Sequence, residues 1–135
     1  MKLSTKGRYG VRLMIDLALH YGEGPILLKD IARRQEVSEK YLWNLTMPLK
    51  IAGLINSTRG PQGGYTLAKQ PSEINLKEIV RVLEGPLCIV ECVDNPSLCK
   101  RSQTCIARDV WSDISDKISQ TLESITLQDM VEKKK

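Results

Sequence analysis

Residues 59 to 65 read Arg-Gly-Pro-Gln-Gly-Gly-Tyr, a segment with a strong local structural signal. Its glycines and proline supply the turn chemistry of a hairpin loop. The segments 54–59 and 65–68 on either side have the composition of short strands, so the pattern predicts a two-stranded β-hairpin. The loop lacks the Lys-Ser/Thr pair of a P-loop, and no long parallel-strand unit surrounds it, which argues against nucleotide binding.

The residues ahead of the hairpin have helical periodicity, because apolar side chains recur at spacings of three and four. Glycine and proline interrupt that periodicity and indicate turns. The predicted order is a helix over residues 6–21, a break over 22–25, a brief strand at 26–27, a helix over 28–34 and a tight turn at 35–36.

A third helix is predicted to begin after Ser38, whose side chain can accept a backbone N–H, and to extend toward Ala52. Pro48 lies inside this helix, where it removes one backbone donor and crowds the preceding turn. We therefore expect a kink or a break near Thr46 and Met47.

The second and third helices and their tight turn match a helix-turn-helix, in which the second helix enters the major groove of DNA. Lys40 can donate to guanine or phosphate, Asn44 can bond adenine in bidentate fashion, and Trp43 can contact thymine methyl groups or pack. A small helical domain without a DNA partner would have the same pattern. The hairpin favours DNA binding, because Arg59 in such a loop can enter a narrow minor groove.

Beyond the hairpin, Asn75 and Glu78 form a capping-box pattern at the start of another helix, which Gly85 and Pro86 end. A long helix begins near residue 104 or 105 and extends about 30 Å. Its apolar stripe, which resembles a coiled-coil seam, predicts a homodimer, and packing of the stripe against its own domain is the alternative. The stripe consists of Trp111, Ile114, Ile118, Leu122 and Ile125.

The chain ends with a short helix that begins near Thr126 and Asp129, followed by a lysine-rich end that we expect to be disordered. The predicted fold class is mainly α with a small β-hairpin: a winged helix-turn-helix domain plus a long dimerisation helix. We divide the chain into a DNA-binding domain (1–70), a connecting helix (71–87), a cysteine-rich loop (88–105) and the dimerisation helix with the short final helix (106–131).

Composition narrows the function classes. The first 70 residues carry 11 lysines and arginines against 5 acidic residues, and the remainder carries 9 against 11, so the positive charge lies where phosphates would attract it. A solvated basic face without a partner would give the same balance.

No segment is apolar enough for a membrane span or a signal peptide, so we expect a cytoplasmic protein. No catalytic triad or paired carboxylates are apparent, and we expect neither an enzyme nor a small-molecule substrate.

Four cysteines, Cys88, Cys92, Cys99 and Cys105, fall within 18 residues, and none lies elsewhere. This clustering favours a metal over disulfides in a reducing compartment. The last three suit an iron–sulfur cluster or zinc, because both bind soft thiolates. Zinc would favour closer pairs and a clear fourth ligand. Thiols without metal are a further alternative, and an electron carrier is disfavoured because ferredoxin-type spacings are absent.

Three features together resemble the IscR family of iron–sulfur cluster regulators: the opening Leu3-Ser-Thr-Lys-Gly-Arg-Tyr9, the loop Arg59-Gly-Pro-Gln-Gly-Gly-Tyr65 and the three later cysteines. The resemblance covers residues 1 to about 131. It implies phosphate contacts from the N-terminal segment, major-groove contacts from residues 38–44 and a minor-groove arginine. The predicted DNA-binding residues are Ser4, Lys6, Arg8, Ser38, Lys40, Tyr41, Trp43, Asn44, Arg59, Gly60, Gly63 and Gly64.

The same resemblance implies that Cys92, Cys99 and Cys105 bind a cluster, often 2Fe-2S, and that its state controls genes of cluster biogenesis through a palindromic operator on double-stranded DNA. The best-known members have a histidine ligand where this chain has Arg108, and a glutamate that influences operator choice where it has Trp43. Candidates for the fourth ligand are Cys88, Glu91, Asp94 and Asp109, whereas His20 is an ordinary helix residue. Nitric oxide, thiol oxidation or a partner protein are alternative signals for the same fold.

Overall fold

The computed structural model describes residues 2–87 and 89–133. Helices dominate this part of the chain, and one antiparallel hairpin accompanies them, so the predicted fold class is confirmed. The elements are α1 (Thr5–Leu19), α2 (Leu28–Gln35), α3 (Glu39–Ile51), β1 (Ile55–Thr58), β2 (Gly64–Leu67), α4 (Leu76–Glu84), α5 (Glu91–Asp94), α6 (Ile106–Ser124) and α7 (Leu127–Glu132).

Helices α2 and α3 form the helix-turn-helix. Glu36 adopts a left-handed conformation (φ 55°) between them, and the Ser38 side chain accepts a 3.0 Å hydrogen bond from the Tyr41 backbone N–H. The predicted turn and cap are therefore confirmed. We call α3 the recognition helix, because it is the second helix of the motif.

The break predicted near Thr46 and Met47 is wrong, because α3 runs from Glu39 to Ile51 without interruption, and the alternative of a kink stays a prediction. The missing N–H of Pro48 removes one backbone hydrogen bond, a local effect. Leu45 and Leu49 on either side of the proline are buried in the core and hold the helix against α1. Tertiary packing thus outweighs the lost hydrogen bond.

Strands β1 and β2, with the loop between them, form the wing (residues 55–67). Ile55 pairs with Leu67 and Thr58 with Gly64, and the predicted brief strand at Ile26 forms a bridge with Tyr65. The two hydrogen bonds of that bridge join backbone atoms 2.9 and 2.8 Å apart. The base of the wing is therefore attached to the segment that leads into α2.

One hydrophobic core joins the helix-turn-helix and the wing to later parts of the chain. Ile79 and Leu83 of α4 and Leu127 of α7 are buried together with the apolar faces of α1, α2 and α3. The backbones of Ile74 and Leu76 also bond those of Leu127 and Ile125, at 2.9 and 2.7 Å. Core residues therefore come from three of the four predicted segments, and the four-part division stays a prediction.

Both capping boxes are present as predicted. The Asn75 side chain accepts from the Glu78 backbone, and Glu78 accepts from the Asn75 backbone, so α4 begins with both donors satisfied. Thr126 and Asp129 do the same for α7. Helix α6 begins after Cys105 and has 19 residues, about 28 Å. The lysine-rich end was expected to be disordered, and Lys134 and Lys135 lie outside the described residues.

Candidate DNA-binding face and cysteine loop

The recognition helix has two opposite faces. Leu42, Leu45 and Leu49 are buried in the core, so the other side of the helix faces solvent. Lys40 and Asn44 lie on that exposed side, near the N-terminal end of the helix. Their donors and acceptors are therefore free to reach base edges or phosphates, which is the arrangement that major-groove recognition requires.

Two of the residues that were predicted to contact DNA also have structural roles within the protein. Ser38 uses its hydroxyl oxygen to cap the recognition helix. Tyr41 is half-buried, and its ring packs edge-on against Tyr9 of α1, with ring centroids 5.8 Å apart and an interplanar angle of 86°. Tyr41 therefore orients the recognition helix on α1, a role that the sequence pattern did not suggest.

Within the wing, Arg59 and Gly60 are exposed, whereas Gly63 is buried. A Cβ atom at Gly63 would lie 2.0 Å from the Thr58 carbonyl oxygen, and one at Gly64 would lie 2.3 Å from the Ile26 carbonyl oxygen. These two glycines are required by contacts inside the protein. All three glycines stay predicted DNA-binding residues, and Gly60 is the one at which an added Cβ would meet nothing within 4 Å.

A cleft of about 400 Å³ lies between the recognition helix and the wing. It is lined on the helix side by Glu39 and Trp43 and on the wing side by Thr58 and Arg59. Lys29 also lines it, a residue that sequence analysis missed. The sequence could have indicated Lys29 as a candidate contact residue. A lysine in the first turn of α2 lies next to the positive end of the helix dipole and is unfavourable there unless an anion approaches.

The N-terminal end of α1 binds a carboxylate from α4. Glu84 Oε1 accepts hydrogen bonds from the backbone N–H groups of Ser4 and Gly7, both at 3.1 Å, and from the Ser4 hydroxyl. Lys6 and Arg8, which follow Ser4, are exposed. The predicted phosphate-contacting segment is therefore attached to the last residue of α4, only a few residues before the cysteine loop.

The cysteine loop (residues 88–105) has short ordered pieces. Cys92 lies in α5, Cys99 ends a 3₁₀ turn over Pro96–Leu98, and Cys105 is the residue that precedes α6. The buried Ser102 hydroxyl lies 2.6 Å from the Pro96 carbonyl oxygen and 2.9 Å from that of Cys99. Cys99 is exposed, and Cys92 and Cys105 are partly exposed.

In the described part of the chain, no group of three or more Cys, His, Asp or Glu side chains lies close enough together to bind a metal ion. The predicted ligands Cys92, Cys99 and Cys105 share one loop but do not converge. Their chemistry suits a cluster, since they are three unpaired thiols on a surface loop. Bringing them together requires the loop to rearrange. Cys88 and the side chain of Glu91, two fourth-ligand candidates, lie outside the described residues.

Arg108 occupies the position that the family resemblance assigns to a histidine ligand. Its Nε donates to the Cys92 carbonyl oxygen at 2.9 Å, and its NH2 group donates to that of Val93 at 3.3 Å. A guanidinium has no lone pair to offer a metal. Arg108 therefore ties the start of the cysteine loop to α6 and is not a ligand.

Comparisons with known proteins agree with this geometry. The Rrf2 family profile, described as an iron-dependent transcriptional regulator, matches residues 3–133. The HTH-type transcriptional regulator CymR of Bacillus subtilis (strain 168) is 45% identical over 130 residues, which are 96% of this chain and 89% of CymR. The HTH-type transcriptional regulator IscR of Photorhabdus laumondii subsp. laumondii is 40% identical over 131 residues, 97% of this chain and 79% of IscR.

Solved structures give the same relationship. The T. potens IscR structure has a TM-score of 0.80 and 45% identity, and the match covers 98% of this chain and 87% of that one. None of the helices described for this chain is long and apolar enough to cross a membrane. With a matching family profile, relatives of 40% identity or more over nearly the whole length and a winged helix-turn-helix, this chain belongs to the Rrf2 family and is a DNA-binding transcription regulator.

Proposed function

We propose that this protein is a homodimeric regulator whose affinity for a palindromic operator depends on an iron–sulfur cluster, of the 2Fe-2S type, at Cys92, Cys99 and Cys105, and that it controls genes of cluster biogenesis. One observation carries the proposal: three unpaired thiols lie on the loop that directly follows the helix attached to the N-terminal end of α1. When bound, the cluster supplies a redox-sensitive and labile group. IscR relatives support this assignment.

The loop has contacts at both ends through which its conformation can reach the DNA-binding half. The Ile89 backbone N–H donates to the Ser115 hydroxyl of α6 at 3.0 Å, and Arg108 of α6 bonds the backbone around Cys92. Ahead of the loop, Glu84 bonds the N-terminal end of α1. If the loop becomes ordered around a cluster, the position of Glu84 would therefore change, and the positions of Lys6 and Arg8 would change with it.

The main alternative is a regulator of the same fold with another signal, such as thiol oxidation, nitric oxide or a partner protein. The solved structure titled as CymR, the global cysteine regulator of B. subtilis, has a TM-score of 0.84 and 42% identity, with coverage of 100% of this chain and 99% of that one. Exposed Cys99 is accessible to oxidants, which is the observation that favours this alternative. Iron content separates the two functions.

Anaerobically purified protein, reconstituted with ferrous iron and sulfide, is expected to be coloured and to contain about two irons and two sulfides per chain. Replacing Cys92, Cys99 and Cys105 by alanine should remove the iron, the visible absorption and any iron-dependent change in operator affinity. The measurements are iron, sulfide and zinc analysis, visible and Mössbauer spectra, and DNA binding by fluorescence anisotropy.

Glu84→Gln is the matched control, because it leaves all cysteines in place and weakens only the contact with α1. It should keep the iron and the colour of the natural protein but reduce the difference in DNA affinity between its loaded and iron-free forms. Colourless, iron-free protein after reconstitution would contradict the cluster proposal and leave a regulator with another signal. Stoichiometric zinc would instead indicate a zinc-stabilised loop.

The dimer proposal rests on α6. Among its 19 residues only Ser115 is buried, while Ile106, Val110 and Ile114 are exposed at spacings of four. An apolar stripe of this kind on a long helix is typical of a helix–helix interface. Ile118 and Leu122, from the later part of the predicted seam, instead line a cavity beside α4. The seam is thus proposed for the first half of the helix.

Ile114→Glu is expected to raise the dissociation constant of the dimer by about 100-fold, because a two-fold interface places the introduced charge in it twice. Analytical ultracentrifugation over a range of protein concentrations measures this constant. Asp116→Asn, an exposed position on the charged side of the same helix, should leave it within about twofold. A natural protein that sediments with the mass of one chain at micromolar concentration would refute the dimer.

A further inference from the structure

Part of the solvent face of the recognition helix is apolar. Trp43 is 53% exposed, Met47 is 48% exposed and Ile51 is 82% exposed. Residues four apart lie above one another on a helix, so the three side chains form one stripe along α3. Exposed large apolar side chains usually occur singly, whereas an aligned set indicates contact with another molecule.

The surroundings of the stripe indicate which molecule that is. Trp43 lines the cleft between the recognition helix and the wing, together with Lys29 and Arg59. Lys40 lies one helical turn before Trp43 and is also exposed. Cations around an apolar side chain on a recognition helix fit a DNA duplex, whose phosphates meet the cations while the base edges meet the helix.

Glu39 lies in the same cleft and indicates which part of a DNA duplex the cleft contacts. A carboxylate repels phosphates but accepts hydrogen bonds from the amino groups of cytosine or adenine. The part of the cleft around Glu39 is therefore suited to base edges, whereas Lys29 and Arg59 in the same lining are suited to phosphates. An apolar group on the base edges is then the partner that Trp43 requires.

In the major groove, the apolar group that a base edge presents is the C5 methyl of thymine. We propose that Trp43 and Met47 are specificity-determining residues that contact thymine methyl groups in each half of the operator. This inference rests on the DNA binding of the family and on the exposed stripe. It is independent of the cluster proposal, because iron-free protein presents the same two side chains.

Ile51 is the boundary of the proposed contact. It lies eight residues beyond Trp43, about 12 Å farther along the helix axis. Recognition helices of this motif contact base edges with their N-terminal residues. Ile51 therefore belongs to the same stripe but is expected to lie beyond the base edges, which makes it a control of matched chemistry.

The test compares thymine with uracil, which differ by the C5 methyl group alone. Operators are first selected with the natural protein from a pool of randomised DNA duplexes, and each thymine of the selected sequence is then replaced singly by uracil. At contacted positions the natural protein should bind about fourfold more weakly per methyl removed, the loss expected for one methyl group. Trp43→Ala or Met47→Ala should bind the thymine and uracil duplexes within about twofold of each other at its own positions.

Ile51→Ala should keep the full sensitivity of the natural protein to uracil. All three side chains lie outside the core, so each variant is expected to fold, and circular dichroism with thermal unfolding checks this. Insensitivity of the natural protein to every uracil substitution would overturn the proposal. Undiminished sensitivity of both Trp43→Ala and Met47→Ala would overturn it as well. Neither result would bear on iron loading, which is measured separately.

Discussion

Arg34→Ala is expected to lower the free energy of unfolding by about 3 kcal/mol, because it removes the cation that pairs with a buried carboxylate. Asp16 of α1 is only 1% exposed. Its oxygens accept hydrogen bonds from Arg34 Nε at 3.0 Å and from the Arg34 NH2 group at 2.7 Å, and Gln35 Nε2 adds a third at 3.0 Å. The hydrogen bond with Asp16 raises the pKa of Arg34, so the guanidinium stays charged until strongly alkaline pH.

Urea and thermal unfolding measure this effect, and the midpoint temperature should fall by roughly 10 °C. Arg33→Ala is the matched control, since Arg33 is the neighbouring residue of α2 and makes only an exposed 3.6 Å ion pair with Asp30. It should change stability by less than about 0.5 kcal/mol. Equal losses in the two variants would contradict the role assigned to Asp16. Because Arg34 lies in the last turn of the first helix of the helix-turn-helix, its loss should also weaken DNA binding.

Gly64→Ala is expected to lower the free energy of unfolding by about 2–4 kcal/mol and operator affinity by more than tenfold. Its φ of 148° is strained for other residues, and the added Cβ would lie 2.3 Å from the Ile26 carbonyl oxygen. Backbone atoms cannot move aside as a flexible side chain does. The bridge between Ile26 and Tyr65 must therefore open, and the wing loses its attachment to the segment before α2.

Gly60→Ala separates the steric effect from the backbone conformation. Gly60 also has a positive φ, 103°, but a Cβ there would meet nothing within 4 Å. It should therefore cost only about 1 kcal/mol. Denaturant unfolding compares the two variants, and anisotropy with the selected operator compares their DNA affinity. Similar destabilisation at both positions would refute the contact with Ile26 as the cause.

Features that depend on residues a few positions apart were predictable from the sequence alone. Ser38, the Asn75–Glu78 pair and the Thr126–Asp129 pair were identified as caps, because a capping side chain bonds the backbone three residues away. The helical periodicity and the turn chemistry of residues 59–65 likewise predicted the helix-turn-helix and the hairpin. The three cysteines and the exposed Lys40, Asn44 and Arg59 were named as site residues from their types and spacing.

Features that join distant parts of the chain became apparent only in the folded structure. Glu84 reaches Ser4 across 80 positions, and Arg34 reaches Asp16 across 18, so neither contact leaves a periodic signal. Packing of α3 on α1 outweighs the local effect of Pro48. The prediction from the sequence considered that local effect alone. The contact that requires glycine at position 64 is also of this kind, because Ile26 lies 38 positions earlier in the chain. Sequence spacing describes what a residue can do, whereas its neighbours in space determine what it does.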